Sequence, residues 1–305
     1  MSDSPPEADI APSFACCNKF GVTSELIAEW GNASRTTNTT RIPSPYATRR
    51  PSPVYRNGMS EYVTLEQRGH VSVLTLDNGE NRWTTNMVRE LNAALDEVEQ
   101  TEGPQALVTA SSDSKFFSNG LDLDWITSKG EHEGGDRKVF GDEAMKLFSR
   151  LITFPKPTIA AVNGHAFGAG FMWALCHDQR VMRRDRGMMC ANEVEIGMAI
   201  PEPELALFHH KLPRHAFYET VQFAKRWTGE AAFSAGFVQE LAEEDEVTDT
   251  AVERGEELSR FGGNRNVFGW MKEHIWGPEA AINKVDGPAH MLAHNDEYPH
   301  PPRFS

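Results

Sequence analysis

The stretch Pro157–Pro201, PTIAAVNGHAFGAGFMWALCHDQRVMRRDRGMMCANEVEIGMAIP, constrains this chain more than any other. It reads as strand, glycine turn, buried helix and strand, followed by acids in apolar surroundings. Thr158–Val162 is an apolar run of strand length, and Phe171–Cys176 is apolar on nearly every side, as a helix buried all round would be. Between them lies Gly164–Gly170, GHAFGAG. A glycine turn that opens a helix leaves N–H groups without intrahelical partners, pointing one way, and such a cradle suits an anion. The spacing is not that of a dinucleotide fingerprint, which needs G-x-G-x-x-G and an acid about 20 residues on. Close helix–strand packing through small residues remains an equal reading of this motif taken alone.

The flanking sequence predicts how the stretch is framed. Residues 1–58 are rich in Ser, Thr, Pro, Asn and Arg and hold too little apolar area to offset chain entropy, so they predict a disordered or non-native extension ahead of a start near Met59. Glu61–Gln67 and Val71–Leu76 alternate apolar and polar positions around Arg68-Gly69-His70, a β-hairpin pattern. Asn86–Glu99 follows a helical period, Ala106–Ala110 is a short buried strand, and Val139–Ile152 is a second helix stopped by Pro155 and Pro157. The glycine-bearing Thr127–Arg137 predicts a mobile flap. Beyond Pro201 the pattern is helical, with no strand expected, and Met291–Ser305 predicts a loose tail. The domain reading is therefore an α/β core at 59–200 carrying the active site, a helical region at 201–290, and a tail at 291–305.

Bulk properties narrow the function. A net charge of −14 makes the surface repel nucleic acid and anionic membrane. No apolar run reaches the roughly 18 residues of a membrane span, and no secretory signal is apparent. The four cysteines show no CxxC spacing, which points to a reducing, cytoplasmic setting. Cys176, His177, Asp178 and Cys190 fit no zinc spacing, so no metal is expected. Ser112–Lys115 matches S-x-x-K only by falling in a polar turn, and no G-x-S-x-G elbow occurs.

A second glycine turn, Phe117–Leu123 (FSNGLDL), also follows an apolar pair. Two such turns can bring two N–H donors to one point, which is an oxyanion hole. Glu193 lies in Cys190–Met198, CANEVEIGM; were this piece extended, Glu193 and Glu195 would share a face. Met, Ile and Val neighbours favour burial of one carboxylate, which raises its pKa toward the range of a proton shuttle.

Four segments in order, VTLEQRGHVSVLTLDN, FFSNGLDL, PTIAAVNGHAFGAGF and EVEIGMAIP, resemble the crotonase (enoyl-CoA hydratase/isomerase) superfamily over about Glu61 to His290. HAFGAGFMWALCHD and EVEIG are most similar to the short Δ3,Δ2-enoyl-CoA isomerases. The resemblance implies a crotonase-like spiral of ββα units in two stacked sheets, a helical C-terminal trimerisation region, and a homotrimer or dimer of trimers. It implies an acyl-CoA thioester substrate, no separate cofactor, an oxyanion hole from the N–H groups of Leu121 and Ala169, and Glu193 as the base. Phe117, Gly120, Gly168, Met172 and Met198 would contact the acyl part, and Arg82 and Lys115 the CoA phosphates. Met172 stands where hydratases carry a second glutamate, which favours isomerisation of a 3-enoyl to a 2-enoyl ester. Hydration, dienoyl isomerisation helped by Glu195 or Glu202, and a non-catalytic acyl-CoA binder are the alternatives.

Overall fold

The computed structural model describes residues 60–128, 137–277 and 287–299. The N-terminal extension and most of the expected flap therefore lie outside the described residues. The chain opens with the hairpin β1 (Val63–Arg68) and β2 (Val71–Leu76), paired antiparallel with Leu65 opposite Leu74. Helix α1 (Thr85–Gln100) follows. Its start is set by Thr84, whose hydroxyl accepts the N–H of Met87 at 3.2 Å, and its buried face is Met87, Val88, Leu91, Ala94, Leu95 and Val98. Truncating a side chain on that face, such as Leu91→Ala, costs about 2–5 kcal/mol.

Next come β3 (Ala106–Ser111), β4 (Phe116–Ser118), α2 (Leu123–Ser128) and α3 (Arg137–Ile152). Then follow β5 (Thr158–Val162), β6 (His165–Phe167), α4 (Ala169–Cys176), β7 (Gln179–Arg183) and β8 (Met189–Cys190). The C-terminal part holds α5 (Glu202–Lys211), α6 (Arg214–Phe223), α7 (Gly229–Ala235), β9 (Glu240–Ala242), α8 (Val247–Gly262), α9 (Arg265–Trp276) and α10 (Pro288–Ala293).

These strands form two sheets, an α/β architecture. The larger runs β1-β2-β3-β5-β7-β9, parallel after the hairpin; the smaller is parallel β4-β6-β8. Strand alternation splits the large sheet between two cores. Val71, Val73, Ala106, Val108, Ala110, Ile159 and Ala161 face α8, which contributes Val247 and Ala251. Leu74, Leu76, Leu107, Ala160 and Val162 face the main core with α1, α3 and α4. Both faces being covered explains why β3 and β5 read as short apolar runs.

Two expectations are corrected. The region beyond Pro201 does contain a strand: β9 pairs with β7, Met182 opposite Leu241, so this region completes the core sheet. Three residues are too few for a period-2 signal to show. The described start of the expected tail packs on the core: Leu292 is fully buried, and Asn295 Nδ2 donates to Asp142 Oδ1 at 2.9 Å. A single buried leucine among His and Pro carries no pattern in sequence.

The His177-Asp178 pair, which resembled a family marker, is structural. His177 Nδ1 donates to Trp173 O at 2.8 Å and Nε2 accepts from Thr109 Oγ1 at 2.7 Å; burial pushes its pKa down to about 3. The backbone acceptor fixes that tautomer. Asp178 Oδ2 accepts the N–H of Thr158 at 2.9 Å, and Oδ1 meets Lys272 Nζ of α9 at 2.9 Å.

Candidate active site

The small sheet delivers both glycine turns to one place. β4 ends at Ser118, and Gly120 turns the chain with φ +80. A Cβ on Gly120 would stand 2.7 Å from Phe167 O and 3.5 Å from Ala169 N, so only glycine allows the second turn this close. Trp83 bridges the first turn from the side: its N–H donates to Gly120 O at 2.9 Å, and its carbonyl accepts from Asp122 N at 3.1 Å. In a parallel bridge the residue between those two bonds faces its own N–H the other way. That residue is Leu121, and its N–H has no hydrogen-bond partner among the described residues.

The second turn mirrors this. Gly168 precedes α4 with φ +51 and ψ −120 and provides no side-chain cap. Its N–H donates to Cys190 O at 3.0 Å and its carbonyl accepts from Met172 N at 3.0 Å, which pins the turn at both ends. Ala169 is the first residue of α4, so its N–H lacks an intrahelical acceptor.

Glu193 closes the site. It begins a 3-10 turn, Glu193–Ile196, that ends on left-handed Gly197, and Met198 N–H returns to Glu193 O at 2.8 Å. A Cβ on Gly168 would lie 3.2 Å from Glu193 Oε1. The other oxygen, Oε2, is buried without a hydrogen-bond partner. Burial raises the carboxyl pKa above its ordinary value, a bond to its own backbone N–H opposing this in part, and no cation is among the causes.

The expected shared face of Glu193 and Glu195 is corrected. A tight 3-10 turn, not a strand, separates them. Glu195 is exposed and forked onto Arg226, at 2.7 Å for both bonds, which holds its pKa below the usual carboxylate range. Glu202 is exposed in the first turn of α5.

The remaining expected residues divide. Gly120, Leu121, Gly168, Ala169 and Glu193 come together. Met172 and Met198 join them through their backbone bonds to Gly168 and Glu193. Phe117 is 0% exposed and belongs to the main core, immediately before Ser118. Arg82 flanks the first turn, but its Nε is held by Glu80 Oε2 at 2.8 Å, an oxygen that Asn119 Nδ2 also reaches at 2.8 Å. Lys115 is exposed, its ammonium 4.7 Å from the Phe116 ring centroid.

Sequence reasoning missed the positive field around His165, whose pKa is lowered by burial, then by Lys115 and Arg186. It also missed Trp83, which carries no motif of its own. A cavity of about 340 Å³ bounded by Glu99, Arg150, Phe154, Arg265 and Gly269 contains none of these residues. Its arginines are committed to Glu99 and Asp96.

A buried carboxylate with one unpartnered oxygen, beside two spare N–H groups, can take a proton from carbon while the donors stabilise charge on an adjacent oxygen. Residues 66–275 match the family described as enoyl-CoA hydratase/isomerase. The chain is similar to Arabidopsis thaliana enoyl-CoA delta isomerase 2, peroxisomal, at 32% identity over 70% of this chain and 91% of that one. It is equally similar to enoyl-CoA delta isomerase 3 of the same plant, 32% identical over 76% and 99%. Among solved structures, a probable enoyl-CoA hydratase, EchA3, of Mycobacterium tuberculosis superposes with TM-score 0.66 at 29% identity, covering 78% of this chain and 97% of that one. Among the described residues no helix is long and apolar enough to cross a membrane.

Proposed function

The chain belongs to the enoyl-CoA hydratase/isomerase family, and we propose that within it this isomerase-like enzyme moves a double bond from C3 to C2 of an enoyl-CoA, with Glu193 as its single acid–base residue. The Glu193 carboxylate removes a C2 proton from the 3-enoyl thioester. The electron pair released spreads over C2–C4 and the thioester oxygen. The N–H groups of Leu121 and Ala169 hold that oxygen as charge develops. The neutral Glu193 acid then returns its proton at C4, the C2–C3 double bond forms, and the thioester carbonyl is restored. Proton and charge balance without another reactant.

One observation carries this reading. Glu193 Oε2 is the only buried carboxylate oxygen without a hydrogen-bond partner among the described residues, and the other oxygen of the same carboxylate, Oε1, sits against the turn that supplies Ala169. Nearly buried Met172 occupies the position of a second acid, so nothing there activates water. Glu195 is engaged by Arg226, so a second shuttle for dienoyl isomerisation would fall to Glu202. The free, buried Cys176 and Cys190 favour a reducing compartment such as the cytoplasm. Exposed Val194 and Ile196 on the Glu193 turn, with Tyr218 and Phe223 on the adjoining α6, favour a trimer or dimer of trimers.

The test is conversion of 3-hexenoyl-CoA to 2-hexenoyl-CoA by wild type and by Glu193→Gln. The expected result is turnover by wild type and a loss of at least about 100-fold in the variant, with its fold intact. Full activity in the variant refutes the base. Crotonyl-CoA hydration faster than isomerisation makes the enzyme a hydratase, and tight binding of CoA esters without any turnover makes it a binder.

A further inference from the structure

One buried hydroxyl stands behind both N–H donors. Ser118 Oγ donates to Asn81 O at 2.7 Å, accepts from Trp83 Nε1 at 2.9 Å, and accepts from Gly120 N–H at 3.3 Å. A serine hydroxyl has one proton to give and two lone pairs to receive, so these bonds use it completely. Ser118 is 0% exposed and its partners are buried, so water cannot replace it. Each bond has a different geometric effect on the site.

The Gly120 bond acts on the first donor. It holds the residue just before Leu121 in its left-handed turn. Trp83 grips the same turn twice more through its main chain, at Gly120 O and Asp122 N. The indole and the backbone of one residue therefore fix Ser118, Gly120 and Asp122, and Leu121 has no freedom to rotate its N–H. The Asn81 bond anchors the far end. Asn81 is itself buried at φ +51, and its Nδ2 donates to Ser111 Oγ at 2.8 Å and to Phe117 O at 3.1 Å.

The second donor is reached by contact. Gly170, in the first turn of α4, packs so closely that a Cβ there would stand 2.4 Å from Ser118 O, 2.8 Å from its Cβ and 2.9 Å from its Oγ. The start of α4, and with it Ala169 N–H, seats directly on Ser118. Trp83 also meets Trp173 of α4 edge-on, with centroids 5.4 Å apart. A shift of Ser118 would thus move both donors together.

We propose that Ser118 and Trp83 form a brace that positions the two N–H groups, making Ser118 a positioning residue for an oxyanion it never touches. The inference rests on the oxyanion reading above and adds what sets the geometry. Preorganised donors act on developing charge, so a loosened brace lowers turnover more than binding.

The experiment compares wild type, Ser118→Ala, Trp83→Phe and the double variant, each checked for its native circular dichroism. Trp83→Phe deletes the N–H and keeps an aromatic side chain, but it also removes one ring of a buried indole, so its packing loss is read separately from the melting temperature; it serves if Ser118→Ala does not fold. With 3-hexenoyl-CoA, each single variant should lose about 10- to 100-fold in kcat while KM moves less than about threefold. The double variant should be little worse than Ser118→Ala, since both act through one bond. A second readout needs no turnover: the carbonyl stretch of bound hexanoyl-CoA, followed by Raman difference spectroscopy. Wild type should shift it to lower frequency, and the variants should return it toward the free ester. If wild type does not isomerise but the stretch behaves this way, the isomerase reading falls and the brace stands. Unchanged kcat and stretch in folded variants overturn the brace. So does a loss carried by KM alone, or by melting temperature alone, and so does full additivity in the double variant.

Discussion

Gly168→Ala tests the geometry of the site most directly. The added Cβ would stand 3.2 Å from Glu193 Oε1, closer than nearly all real Cβ contacts, so the carboxylate must give by a few tenths of an ångström. The backbone meets a second obstacle. At φ +51 and ψ −120 an L side chain is strained, at a cost of about 1–3 kcal/mol. The turn cannot relax freely, because Gly168 N–H is held by Cys190 O and its carbonyl by Met172 N–H. Any relief rotates the peptide that carries Ala169 N–H. The expected result is a fall in melting temperature of roughly 2–10 °C together with a kcat loss of about 100-fold. Gly103→Ala is the control: it has φ +80 with nothing within 4 Å of an added Cβ, so it carries strain alone. Thermal unfolding by circular dichroism and isomerisation of 3-hexenoyl-CoA are measured on both. If Gly168→Ala keeps a kcat within about twofold of Gly103→Ala, this turn does not place the donor and the base, and the reasoning fails.

Other outcomes follow from the same contacts. Burial raises the pKa of Glu193, so the fold favours its neutral form; that stability is present in acid and is lost as pH rises through the folded-state pKa. Glu193→Gln should therefore melt higher than wild type at pH 8, with the gap closing in acid, and an equal gap at all pH values would contradict burial. In kinetics the base must be ionised, so kcat/KM should rise with pH through an apparent pKa above the ordinary glutamate value; a limb at or below that value would place the titrating group in solvent. Lys272 is buried and paired with Asp178, so Lys272→Met leaves a half-buried carboxylate without its cation and should cost about 3 kcal/mol in chemical denaturation. Activity per folded molecule should survive, since the pair secures α9 and not the site.

Local pattern made much of the frame legible. The β1–β2 hairpin, α1, α3 and the strand β5 were visible because each carries its period within a few residues and is bounded by Gly or Pro. Both glycine turns were visible for the same reason. Glu193 was identifiable as a candidate from its apolar neighbours, but its conformation was not. An extended piece and a 3-10 turn have similar composition over four residues, and only the fold put Glu193 inside and Glu195 out on Arg226, 31 residues away. Phe117 adjoins the turn in sequence, and the fold buries it in the main core along with the rest of its short strand.

The sequence by itself determined the strand–turn–helix units and the two glycine turns, while the donors at Leu121 and Ala169 and the missing second acid at Met172 are what its family resemblance implies. These depend on residue type and on neighbours along the chain. The tertiary structure alone decided that Gly120 touches Ala169, that Gly168 faces Glu193, and that Ser118 finds Trp83 across 35 residues. Those contacts join segments distant in sequence, and close packing, not local propensity, selects them. The raised pKa of Glu193 belongs to the same class, because desolvation exists only once other segments have excluded water.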